Sequence, residues 1–180
     1  MNKISSLSIP TVVILLYFFG AFYSLSESSV EDVVICSTNS DTHHIPSGVC
    51  EYYLFNYRST NKDIAELELN SGLAFFFGID DKEKRSKYIV HFLEHGASID
   101  KHSHIDGLTP LHAAILLNEA DLVKLIIDQG ADLNQVELNS ELTPLDFLKK
   151  IESTNTAIDR SQVSKVLHEA LEKRNSKSLK

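Results

Sequence analysis

The sequence predicts an all-α fold: a short solenoid of about three helix-loop-helix repeats with helical caps, preceded by an apolar leader. The repeat is visible because Leu108-Thr109-Pro110-Leu111 returns thirty-four residues later as Leu142-Thr143-Pro144-Leu145. Gly96-Ala97 returns as Gly130-Ala131 at the same interval. A fixed period of this length is typical of supersecondary units that stack on copies of themselves and bury a common core. The leader is the nearly uninterrupted apolar run from Ile9 to Tyr23.

The best-defined unit is repeat 2, over residues 106–139. Thr109 is placed to cap a helix through its hydroxyl, and Pro110 follows at the first helical position, where its missing N–H costs nothing. Leu111 is expected to point into the stack, and Gly130 to end the second helix in the left-handed region. The second helix carries an apolar stripe at helical spacing, made of Leu122, Val123, Leu125 and Ile126.

Repeat 1, over residues 72–105, is degenerate and lacks the Thr-Pro pair. Spacing still reveals it, because Gly72 and Gly96 are 24 residues apart where Gly107 and Gly130 are 23 apart. One added residue is expected within 80–84. The second helix of this repeat is predicted over Ser86–Glu94.

Repeat 3 and a C-terminal cap are predicted over residues 140–174. The repeat keeps Thr143 and Pro144, and its first helix is predicted over Pro144–Ile151. A longer connection leads to a last helix over Arg160–Lys173, whose apolar residues recur at i, i+3 and i+4. Residues 175–180 are expected to form a frayed tail.

The combination of Thr109-Pro110-Leu111-His112 with Gly130-Ala131-Asp132, at a period near 33, resembles the ankyrin repeat. The resemblance implies paired helices joined by projecting hairpin-like loops, and a scaffold that binds other macromolecules. It implies that His112 ties its repeat to the next one by hydrogen bonds. It also implies that Leu108, Leu116 and Leu117 face a concave groove.

Those three leucines form a candidate protein-binding surface, since apolar clusters with polar rims mark interfaces. The alternative is that Leu116 and Leu117 pack beneath a neighbouring loop. Leu138 and Leu142 extend the predicted apolar patch. The predicted polar rim consists of Ser103, His104, Asp106, Gln135, Glu137, Asn139 and Glu141.

Residues 1–26 are predicted to be a signal peptide, because Lys3 precedes the apolar run and small residues follow it. Cleavage is expected near Ser26. The alternatives are an uncleaved membrane anchor, with the rest of the chain facing the periplasm, and a buried helix of a cytosolic protein. The predicted location is therefore periplasmic or secreted, with membrane contact only through the leader.

Residues 27–48 are rich in small polar residues and are predicted to be an irregular linker. Cys36 and Cys50 are expected to pair in an oxidising compartment and to contribute about 3 kcal/mol. Free thiols, or a metal site with His43 and His44, are the alternatives. Residues 49–71 are predicted to form an N-terminal capping hairpin of two helices, with a strand over 51–57 as the second possibility.

No motif for a nucleophile, a catalytic metal or a phosphate loop occurs in the sequence, so no catalytic residue, metal or cofactor is predicted. The net charge of −8 disfavours nucleic acid and is compatible with a basic protein partner. The chain is expected to be a monomer.

The sequence therefore predicts an exported, non-enzymatic protein-interaction module. Small exported bacterial proteins of the family it resembles suggest an immunity-type inhibitor, which binds and neutralises a toxic effector in the periplasm. The alternatives are an accessory factor that protects or assembles a periplasmic enzyme, a secreted effector that acts on host proteins, and an exported hydrolase.

Overall fold

The computed structural model describes residues 9–38 and 44–178, and every regular element within these two ranges is a helix. The chain divides after Ser59 into two compact units. The predicted all-α class is confirmed. Lys3 and His43, which entered the leader and metal-site hypotheses, lie outside the described residues.

The described residues of the N-terminal unit form three helices: α1 over Ile9–Glu27, α2 over Val30–Thr38 and α3 over Ser47–Tyr57. Helix α1 is long and apolar enough to cross a membrane, and it fits a signal peptide. Most of its large apolar side chains are exposed, but Ala21 and Leu25 near its end are buried. Helix α3 packs against both α2 and α1.

Arg58 holds the end of α1 in place within this unit. Its buried guanidinium donates hydrogen bonds to the carbonyl oxygens of Leu25, at 2.9 Å, and Ser28, at 2.6 Å. Since the last carbonyls of a helix have no partner within the helix, a cation at this end satisfies them. The ring of Phe22 packs edge-on against Tyr53 of α3, with ring centroids 5.3 Å apart.

The prediction of an irregular linker over 27–48 is wrong where α2 forms. Val30, Val33 and Val34 recur at helical spacing and are buried, and Cys36 is buried beside them. The polar residues on the other face concealed this short stripe in the sequence. The structure joins Cys36 to Cys50 in a disulfide, as predicted. His44 is described, and its carbonyl accepts a hydrogen bond from the Tyr17 hydroxyl.

The predicted capping hairpin over 49–71 is divided between the two units. Two helices do form, and residues 51–57 are helical rather than a strand. However, α3 belongs to the N-terminal unit, and α4, over Asn61–Glu68, belongs to the C-terminal one. Thr60 and Asp63 form a capping box at the start of α4, in which each side chain binds the other residue's backbone N–H.

The C-terminal unit continues from α4 with a 3-10 helix and five α-helices. The 3-10 helix covers Gly72–Gly78, and α5 covers Lys82–Glu94. The remaining helices are α6 over Pro110–Leu116, α7 over Ala120–Asp128, α8 over Pro144–Thr154 and α9 over Ser161–Ser178.

These helices build a stack of pairs. The 3-10 helix, α6 and α8 are the first helices of successive repeats, and α6 contacts both of its neighbours in this row. Helix α7 is the second helix of its repeat and packs on α6 and on α9. The core between the two rows includes Phe76, Ile89, Leu111, Ile126 and Leu167.

Repeat 1 departs from the prediction in two ways. Its first helix is a tight 3-10 helix, and its second helix begins four residues earlier than predicted, after Asp81. The Asp81 carboxylate accepts hydrogen bonds from the backbone N–H groups of Glu83 and Lys84, which sets the start of α5. The polar residues of 80–84, where an added residue was predicted, therefore contain the N-cap of this helix, Asp81.

The two last helices are longer than the sequence suggests. Helix α8 runs to Thr154 rather than Ile151, and α9 runs to Ser178, so residues 175–178 are helical and not a frayed tail. Two arginines fasten neighbouring repeats. Arg160 donates to the carbonyl of Ile115 at 2.8 Å, and Arg85 pairs with the carboxylate of Glu119.

Removal of the disulfide should weaken the N-terminal unit selectively. The Cys36→Ser/Cys50→Ser variant is expected to lose about 3 kcal/mol of unfolding free energy in that unit, because the bond closes a loop of fourteen residues in the unfolded chain. Hydrogen exchange of the α2 and α3 amides measures this loss. The amides of α6 and α7 are the internal control. Equal loss of protection in all four helices would contradict the prediction.

Candidate functional site

The start of α6 shows how the sequence positions the surface that follows it. Thr109 caps the helix, because its hydroxyl oxygen accepts the backbone N–H of His112. Thr143 does the same for Asp146 at the start of α8. Pro110 and Pro144 occupy the first helical positions, and both are buried. These contacts fix the direction in which α6 and α8 leave their loops.

His112 joins repeat 2 to repeat 3, as the family resemblance implies. Its imidazole is fully buried, with Nε2 3.0 Å from the carbonyl oxygen of Leu142 and Nδ1 2.7 Å from the Thr109 hydroxyl. A carbonyl only accepts, so Nε2 carries the proton and the neutral ring accepts at Nδ1. Burial lowers the pKa of His112, although the bond to Leu142 partly opposes this effect.

Two loops project from the stack and are called finger 1, residues 97–108, and finger 2, residues 131–142. Equivalent buried residues organise them. In finger 1 the Ser103 hydroxyl accepts the backbone N–H groups of Ile105 and Asp106. In finger 2 the Glu137 carboxylate accepts those of Asn139, Ser140 and Leu142.

Ser103 and Glu137 were predicted to lie on an exposed rim, and this prediction is wrong because both side chains are buried inside their loops. Burial raises the pKa of the Glu137 carboxyl, but its hydrogen bonds from three backbone N–H groups outweigh burial and hold the pKa below 4.5. Glu137 is therefore a charged group that stabilises finger 2. The two residues are thirty-four positions apart, so the repeat period itself could have revealed their shared role.

The fingers are fastened to each other by several hydrogen bonds. Leu138 donates its backbone N–H to the carbonyl of Gly107, and Asn139 donates its side-chain amide to the carbonyl of Asp106. The ring of His102 lies 2.7 Å from the carbonyl of Val136. Because their backbones are bound together, the two loops present a pre-organised surface.

The tip of each finger contains one residue with a left-handed backbone. In finger 1 it is Gly107, with φ of 70°, and in finger 2 it is Glu141, with φ of 54°. A side chain in this conformation costs about 1 kcal/mol relative to glycine. The chain therefore places an exposed carboxylate where the preceding repeat has a glycine.

A groove opens between the first helices and finger 1. It contains a pocket of 320 Å³ whose lining includes Leu108, Leu116 and Leu117 together with Ser103 and Asp106. Leu116 and Leu117 are half-exposed, 47% and 50%, so they are surface residues and not core. Leu108 is only 7% exposed and forms part of the floor. The prediction that Leu108 forms part of an open apolar surface is therefore wrong, because its side chain is buried.

The other predicted contact residues lie along the fingers. His104, Asp106, Leu138, Asn139 and Glu141 are exposed, and Gln135 and Leu142 are partly buried. Leu142 also contributes the carbonyl that binds His112. Sequence analysis missed Ala74, Phe77 and Gly78, which line the pocket from the degenerate repeat, and Ile105, which is 75% exposed at its edge.

Reactive groups are dispersed over the described part of the chain. Within residues 9–38 and 44–178, no three histidine, cysteine or acidic side chains converge on a point where they could hold a metal ion. Both ring nitrogens of the buried His112 are hydrogen-bonded, one to Thr109 and the other to Leu142, so neither is free to react. What the groove offers is shape, apolar area and charge.

The architecture is that of a repeat scaffold, a class in which stacked helical pairs display an extended binding surface. Residues 106–137 match the ankyrin repeat family model. The chain is 39% identical over 55 residues to Ankyrin repeat and SOCS box protein 6 of Pongo abelii. The match covers 31% of this chain and 13% of that protein.

Two further relatives, a plant potassium channel and a yeast protein, also match part of this chain. The potassium channel AKT2/3 of Arabidopsis thaliana is 30% identical over 93 residues, 52% of this chain and 11% of the channel. An ankyrin repeat-containing protein of Schizosaccharomyces pombe is 34% identical over 55 residues, 31% of this chain and 26% of the relative. The chain thus spans about a quarter or less of the length of each of these relatives. These comparisons show an ankyrin repeat at residues 106–137 and support an ankyrin-repeat family for the chain.

The buried His112 predicts a pH-dependent stability. Its pKa in the folded protein lies below its unfolded value of 6.5, so the unfolded chain binds the extra proton first as pH falls. The His112 contribution is therefore fully present above pH 6.5 and declines as the pH is lowered through 6.5 toward the folded pKa. Replacement by glutamine should destabilise the protein by about 1–2 kcal/mol at pH 7.5 and by less at pH 5.5. Urea unfolding of wild type and His112→Gln at both pH values tests this; a difference that does not change with pH would refute it.

Glu141→Gly should stabilise the protein or leave it unchanged. The substitution removes about 1 kcal/mol of backbone strain but gives the unfolded chain more conformational freedom, which offsets part of the gain. Thermal unfolding measures the result. Glu141→Ala is the matched control, since it removes the same carboxylate but keeps the strained backbone. If Glu141→Gly and Glu141→Ala are destabilised equally, the backbone of Glu141 is not strained.

Proposed function

We propose that this protein is an exported binding module that captures a basic partner protein through its groove and fingers and neutralises it. The family is one of protein-interaction modules. The groove is proposed as the binding surface because large apolar side chains are exposed around it. Leu116, Leu117, Ile105 and Leu138 are all large apolar residues, and each is close to half-exposed or more. Solubility alone would favour polar residues at these places.

The basic character of the partner is inferred from the distribution of charge. Between Lys101 and Lys149 the sequence contains a single cation, Lys124, and eight carboxylates. This segment therefore accounts for nearly the whole net charge of −8. An acidic surface speeds the encounter with a positively charged protein and selects against acidic ones.

Ion pairing sharpens this inference. Five of the eight carboxylates have a cation within reach: Glu119, Asp121, Asp128, Asp132 and Asp146. The other three, Asp106, Glu137 and Glu141, form no salt bridge with any side chain of the described ranges. All three lie on the fingers. Asp106 and Glu141 are exposed, so each finger carries one surface carboxylate that no cation of the described ranges pairs with.

The proposed place of action is the periplasm or the outside of the cell. The apolar helix α1 near the N-terminus and the disulfide between Cys36 and Cys50 support export, since such bonds persist in oxidising compartments. Retention of α1 as a membrane anchor would place the rest of the chain on the same side of the membrane. The protein is proposed to act there as a monomer.

Neutralisation of a toxic effector is the biological role that we favour. A basic effector active site offers a positively charged cleft, and a rigid acidic surface with an apolar centre would occupy it. Deletion of the gene should then make the producing cell sensitive to its own effector, and re-expression should restore growth. Normal growth together with the reduced activity of one periplasmic enzyme would instead favour the accessory-factor role.

The groove can be tested by paired substitutions. Leu116→Asp with Leu117→Asp should abolish capture of the partner from periplasmic extract, because each change places a charge in the apolar centre of the groove. Helicity and melting temperature should remain nearly unchanged, since both side chains are half-exposed. Ile158→Asp is the control, as Ile158 is 42% exposed but lies in the connection before α9. Equal capture by all three proteins would rule out the groove as the binding surface.

Glu141 gives an independent test of the charge argument. Glu141→Gly should weaken capture several-fold at low salt, and less at high salt, while the protein is as stable as wild type or more so. A loss of binding without a loss of stability separates a contact role from a structural one. Capture that does not depend on this residue or on salt would oppose a basic partner.

A further inference from the structure

The pocket in the groove has an apolar floor built from two repeats. Ala74 and Phe77 contribute from the 3-10 helix of the degenerate repeat, and Leu108 and Ala113 contribute from repeat 2. Phe77, Leu108 and Ala113 are buried, so the floor is held by the core beneath it. The half-exposed side chains of Leu116 and Leu117 line the same pocket.

The volume of this pocket limits what can enter. At 320 Å³ it lies at the lower end of the range for ligand pockets, which suits one large side chain, or two smaller ones, of a protein segment. Binding energy at protein interfaces is concentrated in such anchors, where an apolar or aromatic side chain fills a pocket. The floor itself carries apolar side chains at every position named above.

The edge of the pocket carries one charge. Asp106 is exposed, and its Oδ1 accepts the backbone N–H of Leu108 at 3.1 Å, which fixes the carboxylate at the mouth of the pocket. Its backbone carbonyl is bound by Asn139 of finger 2, so the loop that carries it is held from both sides. Asp106 forms no salt bridge with a cation of the described ranges, whereas Asp121, Asp128 and Asp132 elsewhere on this unit do.

We propose that this pocket receives one large apolar side chain, of leucine or phenylalanine size, from a segment of the partner in which the adjacent residue is lysine or arginine. The cation faces Asp106, and the apolar side chain occupies the floor between Phe77 and Leu117. The proposal rests on the function proposed above and specifies the chemistry by which the groove recognises its partner.

Three capped peptides provide the test: acetyl-Leu-Arg-amide, acetyl-Leu-Glu-amide and acetyl-Gly-Arg-amide. Each is titrated to about 10 mM into the ¹⁵N-labelled protein, because single anchors bind with millimolar affinity. The Leu-Arg peptide should shift the amide signals of Ala74, Ala113, Leu116 and Leu117. The Leu-Glu peptide should bind about fivefold more weakly at low salt, and the Gly-Arg peptide should leave these signals in place.

Two substitutions assign the parts of the site. Asp106→Asn keeps an acceptor for the Leu108 N–H but removes the charge, so it should abolish the preference for the Leu-Arg over the Leu-Glu peptide. Ala74→Leu fills the floor and should prevent both leucine peptides from binding. Leu117→Ser, at a half-exposed position, is the second variant for the floor and should weaken both peptides equally. Thermal unfolding and the undisturbed amide signals of α9 show that each variant is folded.

Each alternative outcome overturns the proposal. Equal affinity for the Leu-Arg and Leu-Glu peptides removes the role of Asp106. Shifts confined to the face between α7 and α9, or no shift with any peptide, remove the pocket. If partner capture still depends on Leu116 and Leu117 in either case, the proposed function stands and only the anchor chemistry is rejected. If no peptide binds at the pocket and partner capture does not depend on Leu116 and Leu117, the groove is rejected as the binding surface.

Discussion

The bond between the His112 imidazole and the Leu142 carbonyl sets the spacing of the repeats on which the rest of the C-terminal unit depends. It joins the cap of one helix pair to the loop that starts the next, and the imidazole is fully buried. The Thr109 hydroxyl binds Nδ1, the second ring nitrogen, while Nε2 donates to Leu142. Thirty-four residues separate Ser103 from Glu137 and Gly107 from Glu141, and in both fingers the buried side chain accepts the backbone N–H groups two and three residues further on. The fingers are therefore held in a fixed arrangement by hydrogen bonds within and between the repeats.

In the proposed function, the groove and the fingers contribute differently to binding. The apolar floor supplies area that is worth burying, and the carboxylates of Asp106 and Glu141 supply a long-range field that is not cancelled by neighbouring cations. Other carboxylates of the unit are paired with a cation, as Glu119 is with Arg85 and Asp132, at the start of finger 2, is with Arg174. The strained backbone of Glu141 is consistent with the proposed role, since strained residues cluster at functional sites. The charge and the strain therefore coincide at the same tip.

Local signals in the sequence predicted the parts of the fold that depend on local physics. Thr109, Pro110 and Gly130 act within one turn of the chain, so their roles could be inferred from residue type alone. The burial of Ser103 and Glu137 depends on backbone N–H groups two to five residues away in a closed loop, and polar residue types suggested the surface instead. The contribution of Phe77 to the pocket could not be foreseen, because it requires the 3-10 helix to lie beside α6. Helix α2 was missed because its buried valines are few and its other face is polar.

If the leader is cleaved near Ser26 as predicted, the contacts made by the end of α1 link the packing of the N-terminal unit to that cleavage. Cleavage near Ser26 would leave Arg58 with the Ser28 carbonyl but without that of Leu25. It would also remove Phe22, whose ring covers Tyr53 and Tyr57. Precursor and processed chain would then differ in more than length, because processing uncovers an aromatic face. An antibody or a fluorescent dye that recognises exposed tyrosines would distinguish the two forms of the molecule.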